Sequence, residues 1–219
     1  MRNILMAAAV ALAPCAATAG SIYGEDGEVL YLGARSGASF VSETDFNITG
    51  ANVENEYDFG FVVGAFVGFG TEITDNIGVR GELELGGQFA SVDTHSINGA
   101  AQAGSFGDTQ QRHAYFNFVS DYAITNSVTG FVGGGVGLAS VQFNGHGVPA
   151  AGVVMNDSDH GLAYNLTAGV GYQLADGAVM EGMYRYMGTS GVELQAADAT
   201  VSDADLTSHN FLLGLRLGF

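Results

Sequence analysis

Lysine and tryptophan are absent from this sequence, proline occurs twice, and the single cysteine is Cys15. Cys15 falls inside "MRNILMAAAVALAPCAATAG", where Arg2 precedes an apolar run over residues 4–12 and Ala17-Thr18-Ala19 forms an A-x-A site. That pattern predicts a secretory signal peptide over 1–19, and Pro14 directly before the cysteine argues against lipoprotein cleavage there. The exported chain then has no cysteine, which excludes disulfides and any thiol for catalysis or metal binding. With no lysine, five arginines beyond position 19 stand against 23 acidic residues. Nucleic acid is excluded as a partner, because phosphate contacts need clustered Lys and Arg. Beyond the signal no run of 18 apolar residues occurs, so no transmembrane helix is available, and any passage through a membrane must use strands.

What is present is glycine, 34 of it, with 47% hydrophobic and 13% charged residues. Turn signals recur about every fifty residues, at Thr74-Asp75-Asn76, Thr125-Asn126-Ser127 and Ala175-Asp176-Gly177. Between them fall polar segments at 41–57, 92–111, 144–160 and 188–207, expected to be long loops. Aromatic and β-branched residues at period two flank the turns and predict strands over 30–40, 58–69, 77–90, 112–123, 128–141, 161–173, 178–188 and 208–219. Helical periodicity is nowhere convincing. The expected organisation is a signal peptide (1–19), a short segment (20–28), and one all-β domain (29–219) whose eight antiparallel strands meander up and down and close on themselves.

The two faces of these strands differ. In the last one Phe211, Leu213, Leu215, Leu217 and Phe219 share a face opposite Asn210, Leu212, Gly214, Arg216 and Gly218; the strands at 58–69 and 161–173 divide the same way. Eight strands enclose room for packed side chains or one small ligand. The large apolar set would overfill that space, so it is expected outside, facing lipid, in a transmembrane barrel. Alternation then places Arg35, Arg80, Arg185 and Arg216 inside with Glu82, Glu84, Asp121 and Glu181. Four bases meeting four acids predict a lumenal salt-bridge network that acts as a plug. The outward aromatics sort into two belts, with Phe69, Tyr122, Tyr172 and Phe219 near the short turns, and Phe59, Phe116, Tyr164, Tyr184, Tyr186 and Phe211 toward the long loops. Aromatics are expected to avoid the charged face.

The "YLGARSG" opening of the first strand, the eight-strand meander and the terminal "HNFLLGLRLGF" together resemble the small eight-stranded outer-membrane barrels, similar to the OmpA transmembrane domain and OmpX-type surface proteins of Gram-negative bacteria. The resemblance implies a place in the cell outer membrane among outer-membrane lipids and lipopolysaccharide. It also implies an assembly signal, read by the barrel assembly machinery, at Phe211, Leu215, Leu217 and Phe219. No peptidoglycan-binding domain is seen after the barrel, so cell-wall tethering does not carry over.

Three functions follow as alternatives: a monomeric structural or surface-interaction barrel presenting four acidic loops, a narrow porin-like channel, and an outer-membrane lipid-modifying enzyme. The loops carry Glu43, Asp45, Glu54, Glu56, Asp93, Asp108, Asp157, Asp159, Glu193, Asp198, Asp203 and Asp205, where weak divalent-cation association is conceivable. "NDSDH" at 156–160 lacks the ligand set of a dedicated calcium loop. Thr94-His95-Ser96 and Ser208-His209 are the nearest approach to a nucleophile with its base, and neither has a paired acid. The expectation is a non-enzymatic barrel without cofactor or metal.

Overall fold

The computed structural model describes residues 28–219 except Thr49, so the expected signal peptide (1–19) and nearly all of segment 20–28 lie outside the described residues. The strands are, in chain order, β1 (Glu28–Val41), β2 (Thr44–Ile48), β3 (Ala51–Tyr57), β4 (Gly60–Thr74), β5 (Ile77–Ile97), β6 (Ala100–Gln102), β7 (Phe106–Ala123), β8 (Val128–Val148), β9 (Gly152–Ala175), β10 (Ala178–Gln195) and β11 (Val201–Gly218). Eight of them form a ring in which β1, β4, β5, β7, β8, β9, β10 and β11 each pair antiparallel with the next. The ring closes where β11 returns to β1, from Tyr31↔Gly218 to Val41↔Ser208. Closure leaves the eight-strand ring without an open edge, which lipid would not tolerate because no water is there to satisfy unpaired backbone groups. One end carries the short turns; at Asp176-Gly177 the chain reverses with Gly177 at φ +71°, a conformation glycine adopts without a steric penalty.

Along the short-turn half, alternation puts apolar side chains outside. On β9, Leu162, Tyr164, Leu166, Val170, Tyr172 and Leu174 are all exposed. At about 3.3 Å per residue and a tilt of about 40°, the stretch from Leu162 to Leu174 rises roughly 30 Å, enough to cross an apolar band of about 25 Å.

The other half inverts this pattern. On β11, Leu206 and Ala204 point inward and are buried, while Asp205 and Asp203 point outward and are exposed. On β10, Val192 and Leu194 point inward and Glu193 and Gln195 outward. Phe46, Val53, Val141, Phe143 and Met155 join them in one buried apolar cluster. Beyond the lipid-facing zone the barrel therefore continues as a water-soluble one would, apolar within and acidic without, each large buried apolar side chain contributing about 1.5–3 kcal/mol.

This corrects the expectation of four long polar loops. Most of 92–111, 144–160 and 188–207 is strand, and 41–57 holds the hairpin β2–β3, whose second strand pairs with the upper part of β5 (Val53↔Ile97 to Tyr57↔Val92). The period-two signal was present in "VELQ" (192–195) and "DADL" (203–206), with small or aliphatic residues alternating with acids. Average polarity masked it, because the outward set in water is charged.

Candidate functional site

The eight charges expected inside come from five strands: Arg35 on β1, Arg80, Glu82 and Glu84 on β5, Asp121 on β7, Glu181 and Arg185 on β10, and Arg216 on β11. All eight are buried, at most 5% exposed. Arg80 is the hub. Its Nε and Nη2 lie 2.7 and 3.0 Å from the two Asp121 carboxylate oxygens, and its Nη1 lies 3.0 Å from both Glu82 Oε1 and Glu181 Oε1. Arg35 continues the chain, with Nη2 2.6 Å from Glu82 Oε2 and Nη1 3.7 Å from Glu84 Oε2. Arg185 Nη1 lies 2.8 Å from Glu84 Oε1, and Arg216 Nε 3.6 Å from Glu181 Oε1. The eight residues thus form one connected, charge-balanced layer across the lumen. Neutral groups complete it: Tyr31 donates its hydroxyl to Glu82 (3.2 Å), Asn117 donates to Glu84 (3.0 Å), and Asn165 donates to Asn117 (2.8 Å). Isolated charges in this interior would cost several kcal/mol each, and forked arginine–carboxylate geometry is what offsets that cost.

Aromatics do not avoid this face. Tyr31, Phe66, Tyr115 and Phe131 point inward and are buried, against expectation. The Arg35 guanidinium carbon sits 3.8 Å from the Phe66 ring centroid, that of Arg216 5.0 Å from Tyr31, and that of Arg80 5.2 Å from Phe131. Arg35, Arg80 and Arg216 turn their in-plane N–H groups to carboxylates and a flat face to a ring, and in a water-poor site the ring quadrupole supplies attraction that solvent cannot. The inward glycines are what makes room. A Cβ on Gly64 would lie 2.7 Å from Glu84 Oε1, and one on Gly135 would collide with the Asn117 and Asn165 amides.

A second polar group lies higher, among the upper strands and the β2–β3 hairpin. His95 Nδ1 is 2.6 Å from Asn55 Oδ1 and its Nε2 3.2 Å from the Phe106 carbonyl. His146 Nε2 is 3.0 Å from Thr109 Oγ1, which also bonds the Tyr57 hydroxyl (3.4 Å). The two imidazole rings lie with centroids 5.5 Å apart and planes inclined at 46°, and both are buried. Burial lowers the pKa of His95; burial and then the neighbouring His95 push that of His146 down to about 3.

The Ser/His pairs singled out in the sequence do not assemble. Ser208 points inward and donates to Gln88 (3.2 Å), whereas His209 points outward and bonds the Tyr184 hydroxyl (2.7 Å). The His95 ring is held by Asn55 and the Phe106 carbonyl, and the serine it meets, Ser105, accepts its backbone N–H (2.9 Å) and not a ring proton. His113 lies 3.8 Å from Glu84 and against the Tyr115 ring, centroids 4.7 Å apart. In "NDSDH", the Asp157 and Asp159 carboxylates accept the backbone N–H groups of Gln195 and Glu193, each at 2.8 Å, stitching β9 to β10 where the ladder between them has ended. The bond from Glu193 also holds the Asp159 carboxyl below the usual carboxylate range. Among the described residues no group of three or more His, Cys, Asp or Glu is placed to hold a metal ion.

The family model of the outer membrane protein beta-barrel domain matches residues 5–219. The chain belongs to this family. Its place is the outer membrane, and its strands cross the lipid. Among solved structures it is similar to Neisserial surface protein A (15% identical, 87% of this chain and 97% of that one, TM-score 0.51). It is also similar to Ail of Yersinia pestis (14%, 88% and 99%, TM-score 0.45) and to OprG of Pseudomonas aeruginosa (14%, 91% and 99%, TM-score 0.43). No protein of curated function matches the sequence. In outer-membrane barrels the short turns commonly face the periplasm and the longer connections face outward.

Phe211, Leu215, Leu217 and Phe219, implied as an assembly signal, share the lipid-facing side of β11. Phe211 and Phe219 are exposed and the two leucines half-buried, and the Phe219 N–H donates to the Leu30 carbonyl (2.9 Å). Alternation along 58–69 puts Phe66 inside, whereas the histidine pair and inward Tyr31, Tyr115 and Phe131 were the features that sequence reasoning missed. Alternation from Arg35 back to Tyr31 would have found one of them.

Proposed function

We propose that this protein is a closed outer-membrane barrel whose role is structural and interactive, and which holds an acidic extracellular β-extension above the lipid surface. The observation that carries this reading is a lumen filled at two levels, by the connected charge layer and by the apolar cluster around Phe143, Met155 and Leu194. The lumenal glycines favour it as well. Gly133, Gly135 and Gly137 line β8, yet a Cβ at any of them meets backbone or side-chain atoms of β7, so neighbouring atoms fill the space their missing side chains leave. The extension exposes Glu43, Asp45, Glu56, Asp93, Glu193, Asp203 and Asp205, a surface suited to cationic partners. His95, His146 and His209 are engaged by Asn55, Thr109 and Tyr184, in keeping with a structural role.

Planar-bilayer recording tests the reading. The native protein should give no conductance steps above a detergent-only control. Reproducible steps carried by the folded barrel would overturn it in favour of a narrow channel.

A further inference from the structure

Four of the five described arginines are consumed by the lumen. The fifth, Arg112 on β7, is exposed on the outer wall, and no acidic side chain pairs with it. Its register partner on β8 is Ser140, whose partner on β9 is His160, also exposed. The three residues form one outward row across three adjacent strands, roughly 10 Å wide at about 4.8 Å per strand. The next outward row toward the membrane is Ala114, Leu138 and Leu162, with both leucines more than 60% exposed. The row above is Gln110, Gln142 and Ser158, without charge. The cation, hydroxyl and imidazole therefore lie at the upper border of the apolar belt, the depth at which headgroups begin.

Nearby acids have partners of their own. Asp159 accepts the backbone N–H groups of Glu193 and His160 and interacts electrostatically with His160, and Asp108, higher on β7, accepts the Ser91 hydroxyl at 2.8 Å. In a chain with 23 acids and six bases, this strip of wall is one where an anion meets no outward carboxylate in three successive rows.

We propose that Arg112, Ser140 and His160 form a docking site for the phosphate of an outer-leaflet lipid, whose acyl chains lie against Ala114, Leu138 and Leu162. The guanidinium supplies a planar, permanently charged donor fork, Ser140 an O–H and His160 a ring N–H; small Ala114 below Arg112 leaves space where the headgroup joins its chains.

Native mass spectrometry of the detergent-purified barrel tests this, with bis-phosphorylated lipid A and its dephosphorylated form as probes. The native barrel should retain the phosphorylated lipid about tenfold more than the other. Arg112→Gln should lower its retention about tenfold, and His160→Gln about threefold, as expected for lost charge-assisted bonds. Arg112→Lys should be intermediate, keeping charge but not the fork. Heat-modifiable migration of each variant checks that the barrel is intact. Equal retention of the two lipids, or native retention by intact Arg112→Gln, overturns the site and leaves Arg112 an interfacial anchor only. Inorganic phosphate at millimolar concentration should not displace the lipid; full displacement overturns the assignment to a lipid in favour of the free ion. None of these outcomes depends on whether the lumen conducts.

Discussion

Arg80→Leu should lower the unfolding free energy of the barrel by about 3–5 kcal/mol, the range for removing one partner from a buried ion pair. Arg80 is 2% exposed and touches Asp121, Glu82 and Glu181 within 3.0 Å. Without it Glu82 keeps Arg35 and Tyr31, and Glu181 keeps Arg216 at 3.6 Å, but Asp121 loses the guanidinium that faces both its oxygens. The double variant Arg80→Leu/Asp121→Leu should therefore recover half or more of the loss, since the buried carboxylate is removed together with the guanidinium that forks onto it. Urea titration in lipid vesicles, read by circular dichroism and by gel migration because the chain has no tryptophan, measures both. A double variant no more stable than the single one would mean that the layer is not organised around this pair.

Acidification should open the extracellular extension while the lipid-facing zone stays closed. His146 in the folded protein takes up a proton only near pH 3, whereas an unfolded imidazole does so near pH 6.5. Because the folded value lies below the unfolded one, the unfolded form binds more protons, and stability is full above pH 6.5 and falls as pH drops toward 3. At pH 4.5 the penalty is about 2–3 kcal/mol from His146, with His95 acting in the same direction. Hydrogen exchange, corrected for intrinsic rate, should show lost protection over β3, the upper part of β5 and the ends of β7 and β8. The stretch from Phe211 to Leu217 on β11 should remain protected. His146→Gln, which keeps a donor toward Thr109 and does not titrate, should remove more than half of the acid effect. Equal protection of the extension at pH 7 and pH 4.5 would contradict this role for the histidines.

The membrane-spanning half was legible because lipid outside and charge inside sharpen the period-two alternation. One inward residue, Arg35 or Arg216, sets the phase of its whole strand. The extension was less legible because its outward residues are acids and its inward ones small or aliphatic, so polarity averaged over a window reads as loop. Phase also fails at bulges. On β8, Ser140 and Gln142 point outward, yet His146, also even-numbered, points inward after the register shift between Phe143 and His146. His95 and His146 are 51 residues apart and meet only through strand pairing and the hairpin above them, for which no local pattern exists. Inward Tyr31 and Phe131 were obscured by a different assumption, that every large ring belongs to the lipid belt, when both serve the arginines.

Heat-modifiable migration of the membrane-extracted protein tests most directly whether these strands form a closed, lipid-spanning barrel. Unboiled, the protein from the outer-membrane fraction should run ahead of its boiled form, because the ring stays compact in detergent until the β1–β11 seam is melted. A single position before and after boiling, with the protein recovered in the soluble fraction, would contradict it.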